Sequence, residues 1–151
     1  ISQGRLGPGR VHHCMRLLGQ AENALSLMCQ RGLSRQAFGK PIVKLGGNYD
    51  VIARSRIEID SARLMVFRAA RAMDVLGNDK ARIHISAIKA MVPEIVCTII
   101  DRAIQLHGAA GVSQWTPLAR MYTTSRTLRL ADGPDEVHRM VVARAELARY
   151  Q

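Results

Sequence analysis

Asp132 stands directly before Gly133-Pro134-Asp135-Glu136, a run that reads as the start of a helix. A carboxylate there either caps free N–H groups or serves as a positioned general base. Taken alone, capping is the ordinary expectation. Arg35 shares a loop with Phe38 and Lys40, a cation beside an aromatic, which suits a phosphate or a flat ring. His12-His13-Cys14 offers metal-ligand types, but neighbouring residues of a helix point about 100° apart and no second pair follows at i+4, so no metal site is expected. The glycine-rich pieces Gly4 to Gly9 and Gly108 to Gly111 match neither the dinucleotide nor the P-loop fingerprint and read as punctuation.

These residues need a scaffold, and its period is that of helices. Val11, Cys14, Met15, Leu18, Ala21, Leu25 and Met28 recur at three and four, predicting a helix from Val11 to about Gln30 that Pro8-Gly9 starts and Gly32 ends. Gly39 and Pro41 interrupt helix, so Arg35 to Pro41 reads as a loop, and Gly46-Gly47 as another. A second helix is predicted from about Asp50 to Leu76, burying Ile52, Ile59, Ala62, Met65, Val66, Ala69, Met73 and Leu76, with Gly77-Asn78 as its stop. The third runs from near Asp79 to Leu106 through Ile83, Ile88, Met91, Val92, Ile95, Ile99 and Ile104, with a kink expected at Pro93. Pro117 opens a shorter helix to about Thr127, and Pro134 suits the first position of a last one reaching about Arg149. No segment alternates with period two. The fold class is therefore all-α, an antiparallel four-helix bundle with an additional short helix, in a single domain over 1–151.

With 151 residues, 48% hydrophobic and 23% charged, the chain can build one core and is neither disordered nor collagen-like. Its apolar runs are broken within a few residues, so no transmembrane segment is expected. Cys14, Cys29 and Cys97 stand apart with no CxxC pair, which excludes a disulfide framework and a thiolate zinc site and makes a reducing setting the default. The 22 basic residues exceed the 12 acidic by ten, and 18 of them are Arg. They are scattered, which favours discrete phosphate or carboxylate contacts over a nucleic-acid-binding tail. The first residue is Ile1, so a fragment of a longer polypeptide is expected.

Three segments, in order and spacing, resemble the C-terminal domain of the acyl-CoA dehydrogenases. Arg35-Gln36-Ala37-Phe38-Gly39-Lys40-Pro41-Ile42 is similar to the family's R-x-x-F-G-K-P-[IL] loop. Gln105-Leu106-His107-Gly108-Ala109-Ala110-Gly111-Val112 is similar to Q-x-x-G-G-x-G, and Asp132-Gly133-Pro134 followed by Val142-Ala143-Arg144 resembles E-G-[TP] and [IV]-A-R. The similarity covers essentially the whole chain, and Leu130 to His138 most resembles the branch that includes family members 10 and 11.

The resemblance implies a domain that packs against an N-terminal helical domain and a middle β-domain, both outside these residues, in a homodimer or homotetramer with FAD at a subunit interface. It implies that Arg35, with Phe38 beside it, holds a neighbouring subunit's FAD, and that Gln105, Gly108 and Ala109 line its adenosine half. Pro134, Asp135 and Glu136 would approach the flavin, while Arg10 and Gly133 would lie on the acyl-CoA side. Asp132 would be the base that removes the α proton of an acyl-CoA thioester while the β hydrogen leaves as hydride to FAD. Its backbone N–H would help hold the thioester oxygen. Electron-transfer flavoprotein or oxygen would be the acceptor, and the compartment mitochondrial or peroxisomal in a eukaryote and cytoplasmic in a bacterium.

The sequence departs from the family pattern in places. The usual Glu is Asp132, one methylene shorter, a feature of the branch it most resembles. Threonine after E-G is Pro134, the second glycine of G-G is Ala109, and a glutamine after the F-G-K-P loop is Gly46. The isolated domain is expected to be inactive, and a non-catalytic helical oligomerisation module is the competing reading.

Overall fold

The computed structural model describes residues 2–151, with side chains from residue 5 onward. Five helices follow in order: α1 over Ser2–Ser34, α2 over Asn48–Lys80, α3 over Arg82–His107, α4 over Leu118–Thr127 and α5 over Asp135–Leu147. The expected all-α bundle with one additional short helix is what forms.

α3 is the central element, because it presents apolar side chains in every direction. Ile85, Ile88, Val92, Val96, Ile99, Ile100 and Ala103 are buried on it. They meet Cys14, Leu17, Leu18, Ala21, Leu25 and Met28 of α1, Ile59, Ala62, Val66 and Ala69 of α2, and Leu118 of α4. Each fully buried aliphatic side chain contributes roughly 1.5–3 kcal/mol. Cys14 Sγ reaches the Ile88 carbonyl, and Gly32 lies against Leu106, so α1 and α3 run in the same direction. Arg102 near the end of α3 bonds to Ser55 and Glu58 near the start of α2, so α2 runs the opposite way. Among the described residues the segment 82–112 alone passes as a membrane span by length and hydropathy, but most of its apolar residues are engaged inside the bundle.

Several boundaries differ from the sequence expectation. α1 starts well before Val11 and carries Pro8 within it. Its early turns lie against the α2–α3 junction: a Cβ on Gly7 would sit 1.7 Å from Asn78 Oδ1, so a larger residue would have to displace that side chain. The expected stop at Gly77 is real, with φ 79° and ψ 166°, although one further helical turn follows it and α3 begins at Arg82. α3 continues through Pro93, as the sequence pattern had it; packing on all sides holds the turn although proline lacks the N–H that would reach the Lys89 carbonyl. Met15, Leu76 and Ile83 of the expected stripes are exposed.

The expected loop at 35–41 is a tight hairpin, with β1 at Gln36–Ala37 and β2 at Lys40–Pro41. Phe38 and Gly39, with φ 52° and 75°, make its two-residue turn, because positive φ at both positions matches strand twist. The Gly108–Val112 stretch, expected as loop, winds as a 3-10 turn, and Pro134 stands just outside α5 rather than at its first position.

Glu22 clamps α1 to α2. Arg56 grips it through both guanidinium nitrogens, at 2.5 and 3.0 Å, and Arg63 bonds to the same carboxylate. The Arg56 hydrogen bonds, with those of Arg63, hold its carboxyl at about 2 against an ordinary 4.5. A carboxylate with a depressed folded value stabilises fully above pH 4.5 and loses that contribution as pH falls through about 2. Glu22→Gln is therefore expected to unfold at lower denaturant than the parent at neutral pH, with the difference vanishing toward pH 2 in denaturant titrations across that range.

Candidate active site

The segment between α4 and α5 carries Asp132, and a buried lysine decides its shape. Lys89 lies on α3 between Ile88 and Ala90 and is fully buried. Its Nζ donates to the carbonyls of Leu128 at 2.5 Å and Gly133 at 3.3 Å, pinning both ends of the segment to the core helix. Burial pushes this ammonium below its ordinary value, and the nearby carboxylates of Asp135 and Asp132 oppose that shift.

Two further donors fix Asp132 itself. Arg10 Nε on α1 reaches its carbonyl at 3.0 Å, and His138 Nε2 on α5 reaches the same oxygen at 3.2 Å. A carbonyl only accepts, so the His138 proton sits on Nε2, and Nδ1 faces Ser86 Oγ at 3.4 Å. Burial holds His138 below its usual value, consistent with a neutral ring. Thus pinned, Asp132 takes φ 57° and Gly133 φ 102°. A Cβ at Gly133 would lie 2.9 Å from His138 Nε2, so the position admits only glycine.

The Asp132 side chain does not cap α5, as its residue type alone suggested; Pro134 stands at the cap without a side-chain bond. It turns instead toward α1, where Oδ2 lies 3.1 Å from His13 Nε2 and about 29% of the side chain remains exposed. Arg10 also lines a cleft of about 220 Å3 with Gly7, Asn78, Asp79, Arg82 and Ile85. Asp135 faces inward: Arg129 Nε bonds to its Oδ2 at 2.7 Å, while Oδ1 is buried with no partner. Pro134 and Glu136 are exposed beside it.

A second cluster forms at the far end of the bundle. Gly32 contacts both Val43 and Leu106, which brings the hairpin alongside the end of α3. Arg35 is exposed there, and Phe38 is 93% exposed at the hairpin tip. Gln105, Gly108 and Ala109 are also exposed, and a cleft of about 340 Å3 flanks Gln105. Gly108 has φ 65° and open space where a Cβ would project. One turn before Arg35, Arg31 Nε is buried without a hydrogen-bond partner. About 25 residues of helix separate Arg10 from Arg35, or about 37 Å at 1.5 Å per residue.

The sequence model of the family described as "Acyl-CoA dehydrogenase, C-terminal domain" matches residues 1–147. The chain belongs to the acyl-CoA dehydrogenase family. It is 56% identical over 149 residues to the probable acyl-CoA dehydrogenase FadE2 of Mycobacterium tuberculosis, covering 99% of this chain and 37% of that protein. It is 57% identical to acyl-CoA dehydrogenase family member 10 of Mus musculus, over 97% of this chain and 14% of that one. A solved structure of a putative acyl-CoA dehydrogenase from Mycobacterium abscessus superimposes with a TM-score of 0.97 at 56% identity, over 99% of this chain and 37% of that chain. The chain thus spans little more than a third, or less, of these relatives.

Within this acyl-CoA dehydrogenase domain, Asp132, Gly133 and Arg10 come together at one end, and Arg35, Phe38, Gln105, Gly108 and Ala109 at the other. Lys89, His138 and His13 were missed in the sequence. A lysine inside an apolar stripe, as in Ile88-Lys89-Ala90, was the available signal for the first. Among the described residues no cluster of His, Cys, Asp and Glu could hold a metal. The Cys14 thiol, pushed up to about 12 by burial, is inert.

Lys89→Met leaves the Leu128 and Gly133 carbonyls without their donor. It is expected to cost about 1–3 kcal/mol and to raise amide exchange across 128–134 well above that of α1 and α2, read by hydrogen–deuterium exchange.

Proposed function

We propose that this domain supplies the base and part of the cofactor cradle of an FAD-dependent acyl-CoA dehydrogenase that introduces an α,β double bond into an acyl-CoA thioester. The observation that carries the proposal is Asp132, a partly exposed carboxylate on a backbone pinned by Lys89, Arg10 and His138 beside the Arg10 cleft. A general base needs fixed geometry more than it needs contacts of its own, and three donors from α1, α3 and α5 provide that. In the reaction the α C–H bond breaks, its proton moves to the Asp132 carboxylate, and the electron pair forms the new double bond as the β hydrogen leaves. FAD, when bound, supplies the hydride acceptor.

The residues present fit FAD. The far end of the bundle offers an exposed cation at Arg35, a projecting ring at Phe38, an amide at Gln105, bare backbone at Gly108 and a buried unpartnered donor at Arg31. A pyrophosphate takes Arg35, and a flat base takes Phe38 and the glycine shelf. Ala109 narrows that shelf by one methyl. At the Asp132 end, Pro134, Asp135 and Glu136 begin α5, whose N-terminal N–H groups favour an electron-rich group. Asp135 is committed to Arg129, so backbone rather than carboxylate is its means of approach.

Because about 37 Å of helix separates the two ends, they serve two different cofactors, and the domain works in a homodimer or homotetramer. Exposed Ile57, Leu64 and Phe67 on α2 supply apolar surface for such assembly or for the companion domains. Arg10 and Gly133 lie on the acyl-CoA side, and electron-transfer flavoprotein or oxygen takes the electrons.

The test is the visible flavin spectrum of the intact parent protein, followed anaerobically as a panel of acyl-CoAs is added. Bleaching by at least one acyl-CoA is expected, with Asp132→Asn retaining FAD but slowing bleaching by about 100-fold or more. A colourless parent, or bound flavin that no acyl-CoA reduces, would leave a helical oligomerisation module instead.

A further inference from the structure

His13 sits on α1 with a neighbour at each ring nitrogen. Arg16, one turn on, places Nη2 2.8 Å from His13 Nδ1. A guanidinium only donates, so Nδ1 must be the bare, accepting nitrogen. The ring proton is therefore on Nε2, and that nitrogen lies 3.1 Å from Asp132 Oδ2. Arg16 thus sets the tautomer that leaves the protonated Nε2 beside the carboxylate, the same division of labour by which a partner on one imidazole nitrogen fixes the role of the other.

The consequences for Asp132 are geometric. Its backbone is pinned by Lys89, Arg10 and His138, yet those contacts leave the side chain free to rotate. Oδ2 is the oxygen that faces His13 Nε2, at 3.1 Å. Oδ1 is then the oxygen left for an incoming proton, and it stays in one orientation because its twin is engaged. A neutral Nε2–H has no lone pair, so His13 cannot itself take the proton while Arg16 is in place.

We propose that His13, locked by Arg16 in its Nε2–H tautomer, is a positioning residue that aims the Asp132 carboxylate so that Oδ1 receives the α proton. The proposal rests on the reading of Asp132 as the base. Proton removal is best read apart from hydride transfer, using a 3-thia-acyl-CoA, in which sulfur replaces the β carbon and no hydride is available. Exchange of its α protons in D2O on the intact FAD-loaded protein, followed by proton NMR, reports what Asp132 does alone.

His13→Leu removes the N–H and is expected to slow exchange about 10- to 100-fold, with FAD content and thioester affinity unchanged. His13→Gln presents an amide N–H near the Nε2 position and should recover most of the rate. Arg16→Met frees the tautomer and should give an intermediate loss. Parent-like exchange in His13→Leu alongside a dead Asp132→Asn would overturn this inference and leave the base in place, as would His13→Gln failing as badly as His13→Leu. Parent-like exchange in Asp132→Asn would instead remove the base reading, and the role of His13 with it.

Discussion

An ammonium buried without a carboxylate partner organises one end of this domain. Placing Lys89 in the core costs several kcal/mol unless its donors are satisfied, and the two acceptors it uses are the carbonyls of Leu128 and Gly133. The segment joining α4 to α5 must therefore fold back across α3, since swinging away would strand a charge among Ile88, Val92 and their neighbours. From that one requirement follow the positive φ of Asp132, the need for glycine at 133 and the position of α5. Arg10 and His138 then converge on the Asp132 carbonyl from the two flanking helices, so a short connection becomes as fixed as the helices themselves.

How much of this was legible in the sequence depends on how local each cause is. Three- and four-residue spacing of Val11, Cys14, Leu18 and Ile59, Ala62, Val66 exposed the helices, and Gly77 and Pro117 marked real breaks because their backbone chemistry acts in place. Pro8 misled for the opposite reason: it is a local signal for a helix start that packing on neighbouring elements overrides. The hairpin at 36–41 is too short to show alternation. The reading of Asp132 as a base came only through the resemblance of its surroundings, since the residue alone suggested a cap.

The misses at the site share a different cause. Lys89, His138 and His13 act on residues far along the chain, and no spacing rule pairs them. Lys89 was the most readable, being a lone charge within an apolar stripe. His13 was set aside because His12-His13-Cys14 has poor metal spacing, which is sound chemistry for metals but silent about a carboxylate arriving from the α4–α5 segment.

Asp132, where the family pattern carries the longer glutamate, bears on the same geometry. An aspartate has one fewer rotatable bond than a glutamate, so less rotamer freedom is lost in fixing it, while its reach falls by one methylene. Reach must then come from the backbone. Asp132 takes a left-handed conformation and has three donors within one residue of it, one from each of α1, α3 and α5, so its Cα is placed by the bundle rather than by the side chain. A short arm on a rigid mount tolerates little displacement, and this places the burden of precision on Lys89 and its two carbonyls.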